Sequence, residues 1–237
     1  MRRGAAVAVL LAAAVAVLAP GCSGGGSAEA PTGPPASPPE TYVAVGASES
    51  VGVGADRPLV EAWPRVFYRT ALERNTVFVS AGVEGSTVAE ALDEQLPLAL
   101  ELAPTVVTVW LNVNDLAAGV PVATYEEQLS RLVRTLRQDG QARVLIANTP
   151  PVDQLPSFQS LAGSRFPPLD GIRTLVEDYN RAIERVADAQ GADLVDLYAA
   201  GVRAVEDGTF ASLIANDGFH PNSDGHARIA EAFASAV

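Results

Sequence analysis

A three-layer α/β/α sandwich around a five-stranded parallel sheet is the fold this sequence predicts. Three observations predict it. From Thr41 onward, short β-rich runs alternate with longer amphipathic stretches. The runs are almost continuously apolar, as strands covered on both faces are. There are five such units, too few for a barrel of eight.

In order, the expected strands are Tyr42-Val43-Ala44-Val45, Val77-Phe78-Val79, Val106-Val107-Thr108-Val109-Trp110-Leu111, Val144-Leu145-Ile146 and Leu194-Val195-Asp196-Leu197. Between them, Tyr125, Leu129, Leu132, Val133 and Leu136 fall on one helical face, as do Ile172, Leu175, Val176, Tyr179, Ile183 and Val186. The last helix is expected to start at Asn222 or Ser223 and to present Ile229, Phe233 and Val237 at four-residue intervals. No internal repeat is visible.

The segment ahead of Thr41 has a different composition. Met1-Arg2-Arg3 is a basic start, and Gly4 to Ala19 carries no charge, the layout of a signal peptide over 1–21. Leu18-Ala19-Pro20-Gly21-Cys22 resembles the bacterial lipobox, although that pattern prefers Leu where Ala19 stands and Ser or Ala where Pro20 stands. The resemblance implies diacylglycerol on Cys22 and an exported lipoprotein on the outer side of the cell membrane. Without lipidation the chain would be secreted. Residues 22–40 are nearly all Gly, Ser, Ala, Thr and Pro, a tether with too little apolar surface to order itself. The folded unit is then expected over 41–237.

Composition removes several chemistries. The chain has 237 residues, 48% of them hydrophobic, with a formal net charge of -12. Its basic residues are all arginine. No P-loop lysine, Schiff-base lysine or serine–lysine dyad is possible. One cysteine cannot form an internal disulfide or a thiolate-rich zinc site, and only His220 and His226 offer imidazole chemistry. Acidic balance without a basic cluster disfavours nucleic acid as partner and adhesion to anionic lipid, so any membrane attachment is expected through the Cys22 anchor. No cofactor or metal is expected.

In an open parallel sheet the functional crevice lies beyond the carboxyl ends of the strands. There the sequence places Gly46-Ala47-Ser48-Glu49-Ser50, Ser80 to Ser86, Asn112-Val113-Asn114-Asp115 and Asn148-Thr149-Pro150-Pro151. Ahead of the last helix stands Asn216-Asp217-Gly218-Phe219-His220-Pro221. An Asp three residues before a His, in a turn made possible by Gly218, sets its carboxylate on one ring nitrogen. Pro221 keeps His220 out of the helix. Ser48 is the natural nucleophile for the other nitrogen.

These residues carry a family resemblance. Gly46-Ala47-Ser48 with Gly52, then Gly85, then Asn114-Asp115, then Asp217-Gly218-Phe219-His220 are similar, in order, to the four blocks of the SGNH/GDSL hydrolases. The resemblance implies a flavodoxin-like sandwich and a serine esterase or lipase-like activity on carboxylic esters through an acyl-enzyme. It makes Ser48 the nucleophile, His220 the base and Asp217 its orienter, with the Ser48 and Gly85 amides and the Asn114 side chain as oxyanion hole. Each donor contributes about 3–4 kcal/mol to such a transition state. Two positions depart from the pattern: Ala47 replaces Asp, and Asn112 replaces a Gly, which bears on pocket size.

Other readings stand beside these. The same machinery serves carbohydrate O-deacetylation and acetyl transfer, and a non-catalytic lipoprotein could keep the fold to bind an envelope glycan or lipid. His226 is expected to pack or cap rather than react. Glu49 and Glu84 are expected as solvated rim charges. The Gly-x-Ser-x-Gly elbow of α/β-hydrolases is absent, because Ser50 follows Glu49. The segment from Pro150 to Gly171, with Leu155, Phe158, Leu161 and Phe166, either walls the pocket or packs over the sheet edge.

Overall fold

The computed structural model describes residues 39–237. The expected leader, the lipidation site Cys22 and the tether as far as residue 38 lie outside the described residues. Just ahead of the first strand, the Glu40 carbonyl accepts from the Val77 N–H at 2.8 Å.

In chain order the elements are β1 (Thr41–Gly46), α1 (Ser48–Val51), α2 (Pro58–Glu61), α3 (Trp63–Ala71), β2 (Val77–Ser80), α4 (Val88–Glu101), β3 (Val106–Trp110), α5 (Val113–Ala118) and α6 (Val122–Arg137). They continue with β4 (Arg143–Ala147), α7 (Pro156–Leu161), α8 (Leu169–Gln190), β5 (Asp193–Val195), α9 (Leu197–Glu206) and α10 (Ser223–Ala234). The five strands form one parallel sheet in the order β2-β1-β3-β4-β5. The chain runs from β1 out to the β2 edge, then crosses back to β3 and onward to β5. Strand order therefore reverses between β1 and β3, where loops leave in opposite directions and open a crevice.

Alternation along the strands builds two cores. Val43 and Val45 of β1, Val107 and Val109 of β3, and Val144 and Ile146 of β4 face the layer of α4, α6 and α8. Tyr42 and Ala44, Val106 and Trp110, and Leu145 and Ala147 face the layer of α3 and α10. On α6 the five residues expected on one face, Tyr125, Leu129, Leu132, Val133 and Leu136, are all fully buried. The second core is aromatic. Trp63 stacks on Phe233 with centroids 4.1 Å apart and meets Trp110 edge-on at 6.1 Å, while Tyr42 lies between Phe67 and Phe78.

Three details differ from the sequence expectation. Strand β5 stops at Val195, because the Asp196 carboxylate accepts from the Ala199 N–H at 2.9 Å and caps α9, which begins at Leu197. Strand β2 is half exposed, since it forms an edge and only β1 pairs with it. Helix α10 starts on its Asn222 cap as expected but ends at Ala234, leaving Val237 exposed beyond it.

The aromatic core gives a quantitative expectation. Phe233→Ala removes a fully buried ring stacked on Trp63, and urea unfolding should show a loss of about 3–5 kcal/mol.

Candidate active site

Three chain segments converge at the carboxyl ends of β1 and β3. Ser48 is nearly buried at the first position of α1, directly after the β1 turn. Its Oγ lies 3.0 Å from Nε2 of His220, 172 residues away in sequence. On the far side of the ring, Nδ1 is 2.6 Å from Asp217 Oδ2. The other carboxylate oxygen accepts from the N–H groups of Phe219 and His220 at 2.9 and 3.0 Å. Burial works to raise the Asp217 pKa, but the imidazole bond and the two N–H bonds outweigh it and hold the carboxyl below its ordinary range. An ionised Asp217 accepts from Nδ1–H, so Nε2 turns its lone pair toward the Ser48 hydroxyl.

Two glycines allow this approach. Gly218 takes φ +71, the left-handed turn that carries the chain from Asp217 back to His220. Gly54 takes φ +93 in the loop after α1, and a Cβ there would sit 2.3 Å from the Pro221 carbonyl and 2.9 Å from the His220 Cβ. Any side chain at Gly54 would push the imidazole loop away from Ser48. From the same side, His226 in α10 is fully buried, with Nε2 3.0 Å from the Val53 carbonyl and Nδ1 accepting from the Trp63 N–H at 3.3 Å. It fastens α10 to the loop after α1 and touches neither Ser48 nor Asp217.

The residues expected as oxyanion donors are held by a network that sequence reasoning missed. Gln95, buried in α4, accepts from the Gly46 N–H at 2.9 Å and donates to the Gly46 carbonyl at 3.0 Å. The same Nε2 donates to Ser86 Oγ at 2.9 Å. The Ser86 carbonyl accepts from Asn114 Nδ2 at 3.0 Å. Thus the β1 turn, the β2 loop and the β3 loop are tied through one carboxamide and one serine. Gly85, next to Ser86, sits at φ +76 with open space where a Cβ would point. Among the described residues, neither the Ser48 nor the Gly85 N–H donates to another protein group. The signal for Gln95 was present in the sequence: it shares the helical stripe of Val88, Ala91 and Ala99, all buried, so a polar residue stands in apolar phase.

Asp115 completes the support. Fully buried, it accepts from the Val88 N–H through both oxygens, at 3.2 and 3.1 Å, and so joins α5 to the first residue of α4. Burial pushes its carboxyl from the ordinary 3.8 up to about 6, with the Val88 N–H opposing and Glu90 adding.

Against Glu49 and Phe219, the chain neighbours of Ser48 and His220, lies a cavity of about 120 Å³ that neither Ser48 nor His220 itself lines. Its wall is apolar, made by Trp110 and Val113, by Pro150 to Val152 and Leu155, and by α9, the turn Phe210–Leu213, Phe219 and α10. Glu49 also lines it. This corrects the expectation of a solvated rim charge: Glu49 is 9% exposed, because α1 turns it inward against the cavity. Glu84 is exposed. The segment from Pro150 to Gly171 serves both expected purposes. Leu155 lines the cavity, whereas Phe158 packs between Phe166 and Phe219. Asn112 does not line the cavity; it is buried, with Nδ2 reaching the Ala147 carbonyl at 3.3 Å. Among the described residues no group of three or more His, Cys, Asp or Glu is placed to hold a metal ion.

The two buried titrating supports act in opposite senses on stability. The folded state keeps a proton on Asp115 up to about pH 6, whereas an unfolded chain releases it near 3.8, so stability falls as pH rises through that window. His226 is held neutral mainly by burial, below its ordinary 6.5, so it costs stability as pH falls below that value. Comparing thermal unfolding of the parent and Asp115→Asn from pH 4 to 7 isolates the first effect. The variant should lack the loss that the parent shows as pH rises.

Known proteins share this arrangement of chain. Residues 44–228 match the family model of the GDSL-like lipase/acylhydrolases. The crystal structure of TesA has a TM-score of 0.64 at 23% identity, over 83% of this chain and 97% of that one. A lipase/acylhydrolase from Enterococcus faecalis gives 0.64 at 22% identity, over 83% and 94%. A mutant of Axe2, an acetyl-xylooligosaccharide esterase from Geobacillus Stearmophilus, gives 0.63 at 19% identity, over 83% and 93%. No curated protein matches in sequence. At these identities the structural likeness is one of fold, and the family model carries the rest. By that match, which spans most of the sheet and every strand-end segment described above, the chain belongs to the GDSL-like lipase/acylhydrolase family, a carboxylic ester hydrolase by class.

Proposed function

We propose that this protein hydrolyses carboxylic esters through an acyl-enzyme on Ser48. The observation that carries the reading is the aligned series of Ser48 Oγ, His220 and Asp217, with spacings of 3.0 and 2.6 Å. Ser48 Oγ attacks the acyl carbonyl while Nε2 of His220 takes its proton, and Asp217 stabilises the imidazolium that results. The oxyanion is held by the Ser48 and Gly85 N–H groups and by Asn114 Nδ2, whose second hydrogen is left over from its bond to Ser86. His220 returns the proton to the leaving alcohol. Water then attacks the acyl-enzyme by the same route, regenerating Ser48 and releasing the acid.

The apolar cavity lined by Glu49 and Phe219, the chain neighbours of Ser48 and His220, supports an acyl chain longer than acetyl. For location, the leader pattern and Cys22 support an exported lipoprotein, anchored by its acyl chains with the hydrolase unit 41–237 facing outward.

Hydrolysis of p-nitrophenyl esters from acetate upward tests the activity. The parent should turn over and rank the acyl lengths, with covalent labelling by a fluorophosphonate. Folded Ser48→Ala should lose about 10⁴-fold or more in kcat and take no label. Asn114→Ala should lose about 10²-fold or more in kcat with a smaller change in KM. A folded parent that neither labels nor turns over leaves the non-catalytic lipoprotein as the better reading.

A further inference from the structure

Ser48 has one hydroxyl hydrogen and two acceptors within reach. His220 Nε2 is 3.0 Å away and Glu49 Oε2 is 3.3 Å away. Proton transfer to His220 requires that hydrogen on the imidazole side. A carboxylate at Glu49 is acceptor-only and competes for it, whereas a protonated carboxyl has a hydrogen of its own to give. A carboxylate there would also face the negative oxygen formed when Ser48 attacks, inside a site with little water to screen the two charges.

The surroundings of Glu49 disfavour the charged form. Its cavity wall is apolar from β3 and α5 (Trp110, Val113), from the β4 loop (Pro150, Val152) and from α9 (Leu197, Ala204). The titratable and charged groups that face it are His220, from the loop ahead of α10, and Arg228 of α10. Arg228 is largely exposed and already paired with Glu231 at 3.0 Å. No buried cation is therefore committed to Glu49, and a buried carboxylate without one carries a heavy desolvation cost. Burial pushes the Glu49 carboxyl upward, against the opposing influence of its own backbone N–H, of His220 and of the Ser48 hydroxyl.

We propose that Glu49 works as an uncharged acid: a positioning residue that donates its hydrogen to Ser48 Oγ, leaves the Ser48 hydrogen to His220, and keeps a negative charge out of the adjoining cavity, which takes an apolar acyl chain. The inference rests on the serine-esterase reading above and adds to it a residue and a substrate class. It also places an alkaline limit on the enzyme. Once Glu49 ionises, the Ser48 hydrogen is drawn from the base and the cavity mouth becomes anionic, so apolar esters bind and react less well.

Glu49→Gln in the full chain tests this, because an amide keeps the size and an N–H donor and cannot ionise. Difference infrared spectra at pH 7, parent minus variant, should contain the carbonyl stretch of one protonated carboxylic acid. Its absence overturns the proposal. For p-nitrophenyl butyrate, the parent's kcat/KM should fall at alkaline pH by about tenfold per pH unit beyond the Glu49 transition. The variant should lose that limb and be about fivefold slower at neutral pH, its amide being the weaker donor. A variant that keeps the limb, or that folds and loses about a hundredfold or more at every pH, overturns the role assigned to Glu49. Failure of the underlying reading looks different: the parent itself would take no fluorophosphonate label and cleave no ester. A labelled, active parent lacking the infrared band sinks the Glu49 role alone.

Discussion

The bonds made by the Gln95 carboxamide are the constraint on which the site depends. A parallel sheet brings successive loops to one edge, but it fixes only where each loop begins. Gln95 grips both backbone groups of Gly46 and the hydroxyl of Ser86, and Ser86 in turn holds Asn114. Ser48, Gly85 and Asn114 thus take their places from a residue that reacts with nothing. Burial makes the arrangement specific. In a dry interior an unmet amide or carbonyl costs about 1–3 kcal/mol, so the alternatives in which these loops drift apart are disfavoured.

A second principle governs the carboxyls. Asp217, Asp115 and Glu49 lie within one site and have unlike surroundings. Asp217 is partly exposed and receives three hydrogen bonds, so its anion is favoured. Asp115 is fully buried and meets the Val88 N–H and its own backbone N–H, which do not offset its burial. Glu49 is turned into an apolar cavity with a hydroxyl beside it. Number of donors and access to water set the charge of each, and the chemistry follows from that division.

Much of this was legible in the chain itself. Strands β1, β3 and β4 were visible because burial on both faces demands continuous apolar runs, and the faces of α6 and α8 because one stripe must meet the sheet. Ser48, Asp217 and His220 stand out because each is a polar residue at a strand end or turn, whereas Gly85 and Asn114 were singled out only by the resemblance to the SGNH/GDSL blocks. The misses have physical reasons. Asp196 interrupts an apolar run that reads as strand, and its capping bond to Ala199 is local chemistry that periodicity does not register. Glu49 was assigned to solvent because charges default there, and only the turn of α1 reveals its burial. Gln95 finds its partner 49 residues away at Gly46, a pairing that no local pattern contains.

The separation of Ser48 from His220 along the chain has a temporal meaning. Ser48, the nucleophile of the proposed mechanism, is made early in the described residues, and His220, its proposed base, 172 residues later. β1, which carries Ser48, pairs in the sheet with strands that follow it, and α10, which follows His220, closes on α3. On the proposed mechanism a growing chain accordingly holds an inert serine from the making of Ser48 until His220 follows. On the proposed mechanism that serine gains its reactivity only once the imidazole of His220 lies beside it. On that reading the order of the sequence acts as a safeguard, withholding Ser48 from reaction until the five strands around it have been made.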